Sequence, residues 1–99
     1  MDTNKTFDFS VALALVKDGK RVARLPWVMS GVFIFLVPGS TFTVNRAPLL
    51  GIYPEGTEIQ YHAHIDMSFP DGGKKVMTWH PQMPDLLADD WVVVPDMSE

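Results

Sequence analysis

The stretch EIQYHAHIDMSF, residues 58–69, restricts what this chain can fold into more than any other. Ile59, Tyr61, Ala63, Ile65, Met67 and Phe69 fall on one side of an extended backbone. Gln60, His62, His64, Asp66 and Ser68 fall on the other. Successive side chains of a strand point to opposite faces, so the pattern describes a strand with one buried and one wet face, as antiparallel sheets allow. PDGG follows as a hairpin turn and KKVMTW as the returning strand.

The remaining elements fit around that hairpin. FDFSVALALVKDGK places Phe9, Ala12, Leu13 and Val16 at helical spacing, with Asp8 or Ser10 as the cap and Gly19 as the stop. RVARL reads as a strand ended by Pro26. GVFIFLV is a second strand, bounded by Gly31 and Pro38-Gly39, and TFTV continues extended. Residues 45–57, NRAPLLGIYPEGT, carry two prolines and two glycines and read as a loop. With residues 26–31 they form longer connections than the usual ~4–6 residues, a feature often tied to function. MPDLLADD gives one or two helical turns with Pro84 in the first, and WVVV closes as a strand. The expected fold is α+β: a small antiparallel β-sheet with an N-terminal helix and a short helix before the C-terminal strand, in one domain over residues 1–99.

Composition excludes several classes. There are no cysteines, hence no disulfide framework and no thiolate metal site. The apolar run 31–38 is far shorter than the ~20 residues needed to span a bilayer, so no membrane association is expected. MDTNKTFD lacks the basic-then-apolar order of a signal peptide, and a cytoplasmic location is expected. The net charge of −4 argues against nucleic-acid binding, which needs extended phosphate neutralisation. It leaves room for a small phosphorylated ligand held by one or two arginines. Basic residues gather at Lys17, Lys20, Arg21 and Arg24, and acids at Asp85, Asp89, Asp90, Asp96 and Glu99.

Few residues suggest chemistry. His62 and His64 can share a metal from one strand face, with Asp66 or His80 as a third ligand, but no spacing fixes that third ligand, and no metal or cofactor is expected. Asp85 with Asp89 or Asp90 can act as an acid–base pair, or simply as a solvated helix face. No serine sits in a nucleophile elbow and no Gly-rich phosphate loop precedes a helix. An enzyme is not expected. In WHPQMPDLLADDW, residues 79–91, Trp91 opens an apolar strand and reads as core. Trp27 and Trp79 stand at strand–loop junctions, where an aromatic is either a core anchor or a stacking platform for a nucleobase.

Three segments resemble a known family. FSVALALVKDGKRVARLPW, PGSTFTVNRAPLLGIYPEGTEIQYHAHIDM and WHPQMPDLLADDWVVV are similar to the phage and prophage Thoeris anti-defence proteins of the second type, from about Phe7 to Val94. The C-terminal signature is the most specific of the three. The chain departs from the family pattern at VMSG after Trp27 and at Pro26, His80, Met83 and Pro84.

The resemblance implies a sponge: a homotetramer, with pockets between subunits, that sequesters a cyclic ADP-ribose-type immune signal without cleaving it. It also implies an alternative ligand, the cyclic di- or trinucleotides of another defence system; a small nucleotide hydrolase using Asp85 or His80 is a rival reading from the residues alone. The ligand-binding residues expected are Trp27, Asn45, Arg46, Trp79, Gln82 and Asp85, which the resemblance supports as shared motif positions, together with Arg24, which the residues themselves suggest. Trp27 and Trp79 would stack on the base and a ribose, Arg24 or Arg46 would pair with the pyrophosphate, and Asn45, Gln82 and Asp85 would read base edges and hydroxyls. Holding such a signal at about 1 nM takes ~12 kcal/mol. Roughly 35 ligand atoms at ~0.3 kcal/mol each supply about 10. The remainder calls for an enclosed site, which one small subunit can hardly provide and two can.

Overall fold

A computed structural model describes residues 5–95; Asp96 and Glu99 lie outside them. The elements are α1 (Phe9–Lys17), β1 (Arg21–Arg24), α2 (Leu25–Val28), β2 (Phe33–Val37), β3 (Ser40–Thr43), β4 (Glu58–Tyr61), β5 (His64–Pro70), β6 (Lys74–Thr78), α3 (Met83–Leu87) and β7 (Trp91–Val94). Five strands form one antiparallel sheet in the order β6-β5-β2-β1-β7, and β3 and β4 form a two-stranded ribbon. The α+β arrangement is the one expected, with α1 before the sheet and α3 before its last strand.

Helix α1 starts where the Asp8 carboxylate accepts from Val11 N at 3.1 Å and from the Ser10 hydroxyl at 2.6 Å. Those bonds, Ser10 first, hold the Asp8 carboxyl below its ordinary pKa. The helix ends at Gly19, whose φ of +89° is left-handed. Ala12 and Val16 are fully buried against Val22, Ile34 and Trp91, with Phe9 and Leu15 packed beside them. Leu13 and Leu15 are both half-buried, and it is Leu15, not the expected Leu13, that packs on this cluster. Before the helix, Phe7 exchanges two backbone hydrogen bonds with Trp91, at 3.0 and 3.1 Å.

Two features differ from expectation. Pro26 does not simply end β1. It sits in the first turn of the short helix α2, where its missing N–H costs nothing. The alternating stretch 58–69 is also not one strand but β4 and β5, parted at His62-Ala63. Val37 pairs with His64 and Ser40 with Tyr61, so three steps along one strand match three along the other and the register is kept across the break. The ladder lapses because Pro38 has no N–H to donate and because the backbones close together at Gly39. A Cβ there would lie 2.7 Å from Tyr61 O and 3.1 Å from Ala63 N.

Beyond this joint the β2–β5 hairpin continues without the other strands as an arm made of β3, β4 and loop 44–57. Val44 closes the loop by donating to Thr57 O at 2.9 Å and accepting from Gly56 N at 3.0 Å. The arm packs chiefly on itself. It lengthens the molecule to 52 × 30 × 29 Å and gives a radius of gyration of 16.6 Å, against about 13 Å for a compact chain of this size.

Candidate functional site

The seven candidate residues fall into two groups. Arg24, Trp27, Trp79, Gln82 and Asp85 gather around α2, α3 and the start of β7. Asn45 and Arg46 lie on the arm, roughly 20 Å beyond Gly39 for six residues of extended chain. Within one chain the strands β3 and β4 make no extensive contact with α2 or α3.

In the first group, β1 ends by turning Arg24 toward the segment between α3 and β7. Its Nε donates to Asp90 Oδ1 at 2.9 Å and one terminal nitrogen to Asp90 Oδ2 at 3.2 Å, a forked pair. The other terminal nitrogen donates to Asp85 Oδ1 at 3.1 Å. Asp90, then Asp85, raise the already high pKa of Arg24. Asp85 is only 9% exposed. Its second oxygen accepts from Gln82 N at 3.1 Å, holding the first turn of α3, and its carbonyl accepts the Trp91 indole N–H at 3.0 Å. Leu25 N donates to Asp90 O at 2.8 Å. Asp85 and Asp90 thus share a counter-ion and act as hydrogen-bond acceptors.

Above this latch sit the aromatics. Trp91 is fully buried, with Trp27 edge-on at 5.2 Å, Trp79 edge-on at 6.0 Å and Phe9 tilted at 5.2 Å between ring centroids. Trp79 is 8% exposed and also meets Phe9 at 5.7 Å. Trp27 is half-buried against the same cluster. Of the two tryptophans at strand–loop junctions, Trp79 is thus placed in the core of this chain and Trp27 at its edge. The side chain of Gln82 is exposed at the start of α3.

The second group lines a groove of about 870 Å³ on the arm, bounded by Phe42, Val44, Asn45, Arg46, Leu49 and Tyr61. Phe42 and Tyr61 meet diagonally across the ribbon, 5.2 Å between centroids, and Val44 is buried. Asn45 and Arg46 are exposed beside them. Arg46 thus stands beside an aromatic wall, Phe42 and Tyr61, that the sequence reading does not single out. The two aromatics belong to an alternating ribbon and carry no motif.

His62 and His64 do not gather a third ligand. His64 Nε2 lies 3.3 Å from Asp66 Oδ1 and its Nδ1 3.2 Å from His62 O. Among the described residues no group of three His, Asp or Glu is placed to hold a metal ion. No described helix is long and apolar enough to cross a membrane.

A family model described as the Thoeris anti-defense 2-like domain matches residues 7–94. The chain belongs to the Thoeris anti-defense 2-like family. The match spans α1 through β7, so the latch, the tryptophan cluster and the arm groove of this Thoeris anti-defense 2-like chain all lie inside the family's domain. A comparison with curated proteins gives no match.

Proposed function

We propose that this chain serves its anti-defence role by sequestering a cyclic ADP-ribose-type signal, without cleaving it, in a site assembled between copies of itself. The observation that carries the reading is the arm groove. It puts two aromatic rings, an arginine and an asparagine around a space within the ~300–1,000 Å³ of ordinary ligand pockets. A base can stack there, and a guanidinium suits a pyrophosphate.

Assembly has its own support. A two-stranded ribbon is marginal in water unless something packs on it, and this one presents Leu50, Ile52 at 67% exposure, Tyr53 and Tyr61. A second copy covering the arm would bury these side chains. It would also bring Asn45 and Arg46 of one copy to Trp27 and Gln82 of another. A homotetramer with pockets between subunits meets both needs. In this reading Trp79, Asp85 and Arg24 shape the wall behind Trp27 more than they touch ligand.

Calorimetry of the protein against glycocyclic ADP-ribose, with linear ADP-ribose as control, tests this. Tight binding of the cyclic ligand, recovered at unchanged mass after heat denaturation, supports the sponge. Arg46→Ala should weaken binding at least tenfold while leaving the fold unchanged. A ligand that returns with altered mass would make the protein a hydrolase. Silence with this ligand and tight binding of a cyclic dinucleotide would change the substrate class, since the same groove chemistry suits both.

A further inference from the structure

Strand β5 alternates between the two faces of the sheet. Ile65 and Met67 pack on the core cluster under α1, so His64 and Asp66, the first and third residues of the strand, project from the other face. Their partners across β2 are Val37 and Phe35, whose side chains can hydrogen-bond neither of them. Thr78 of β6 stands opposite Asp66 on its other side. The Asp66 side chain is 15% exposed and the His64 side chain 43%. A carboxylate shielded to that degree needs a compensating charge.

Two distances define what can join the pair. His64 Nδ1 is 3.2 Å from the carbonyl oxygen of His62. A carbonyl only accepts, so this contact is a hydrogen bond when Nδ1 carries the proton. In the neutral ring Nε2 is then a bare lone pair, and it lies 3.3 Å from Asp66 Oδ1. Two acceptors that close repel each other unless a cation joins them. A proton is the simplest cation, but a charge-assisted N–H···O bond usually closes to ~2.7–2.9 Å. The wider separation is that of two ligands on one tetrahedral ion, since bonds of ~2.0–2.1 Å at a tetrahedral angle set nitrogen and oxygen about 3.3 Å apart. The His62 carbonyl then does what a backbone acceptor does behind most metal-bound imidazoles: it fixes the tautomer and the plane of the ring.

We propose that His64 Nε2 and Asp66 Oδ1 hold a divalent transition-metal ion, zinc, at the joint where the arm leaves the sheet. Imidazole selects such an ion over magnesium or calcium. Two protein ligands are fewer than the three of a catalytic zinc or the four of a structural one, so water completes the shell and the affinity is micromolar. Bound there, the ion ties His62, through the His64 ring, to Asp66 across the start of β5. The proposal is independent of the sponge reading, because neither ligand belongs to the two groups above.

The test is calorimetric titration of the intact, tag-free protein with zinc chloride, with magnesium chloride as control, joined to absorption spectroscopy of the cobalt-loaded protein. The expected result is one zinc per chain with a micromolar Kd, no heat from magnesium, and the intense visible bands of four-coordinate cobalt. His64→Gln and Asp66→Asn change each side chain little in size. Each should weaken zinc at least tenfold and abolish the cobalt bands. His62→Gln leaves the carbonyl in place and should change the affinity less than threefold. Absence of micromolar zinc binding to the wild-type protein would overturn the site and leave a proton between the pair. Binding that survives either His64→Gln or Asp66→Asn would overturn it too, by placing the ion on other residues.

Discussion

Arg24 is the residue on which the α2–α3 corner depends. It satisfies two carboxylates from positions far along the chain and is itself largely shielded from solvent. Removing one member of a partly buried ion group strands the others. Arg24→Ala should therefore cost about 2 kcal/mol in chemical denaturation, after allowance for the solvent that still reaches the pair. Arg24→Lys should lose much of the same, because an ammonium cannot reproduce the fork to Asp90. Asp85→Ala should destabilise far more than Asp89→Ala, whose exposed side chain should be worth no more than ~0.5 kcal/mol. Trp79→Ala should cost about 3 kcal/mol through the cavity it leaves beside Phe9 and Trp91. A loss of ligand binding in that variant would thus report on folding, and Trp79→Phe is the cleaner probe. Asp8 gives a pH dependence with a definite sign. Its folded pKa is depressed, so its contribution is present above the ordinary aspartate value and fades as pH falls through the folded one. The gap in melting temperature between wild type and Asp8→Ala should be constant at neutral pH and close in acid.

At the scale of elements, the joint at Pro38-Gly39 and His62-Ala63 decides where the sheet ends and the arm begins. Gly39→Ala would drive a methyl into Tyr61 O and Ala63 N, both backbone atoms that cannot step aside. Faster amide exchange confined to β3 and β4, with the five-stranded sheet unchanged, is the expected outcome in hydrogen-exchange mass spectrometry. The same joint shows what a sequence can disclose. Helix α1 was legible through its cap and its glycine, the hairpin through PDGG, and α3 through Pro84, because each is written in neighbouring residues. The split between β4 and β5 was invisible because the register never slips, so Ala63 stays in phase with Ile59 and Ile65 across it. The turn α2 was hidden because Pro26 signals a strand's end and a helix's start equally well. As for the site, the tryptophans and acids were conspicuous, but which were committed to each other was not. Arg24 meets Asp85 and Asp90 across the pairing of β1 with β7, and no local pattern announces a contact across most of the chain.

For the whole molecule, the elongated outline and the exposed apolar residues of the arm make association the natural expectation. Ile52→Ser, at the arm's most exposed aliphatic position, should shift the protein toward smaller species in sedimentation velocity without lowering the stability of the five-stranded sheet. If the proposed site spans copies, the same variant should lose ligand affinity in parallel, and the two losses should follow protein concentration together. An unchanged sedimentation coefficient would show that the arm is not the contact.

The tryptophan cluster has a consequence of another kind. Trp27 and Trp79 each meet Trp91 edge-on, within 6.0 Å. Chromophores that close share their excitation instead of absorbing one at a time. The cluster should produce a paired positive and negative band in circular dichroism that no isolated indole would give, and its emission should be set by whichever ring is most easily quenched. Because Trp27 sits at the edge of that trio, a molecule resting on it would change the colour and brightness of the whole set. The protein thus carries a built-in optical gauge, readable without any label.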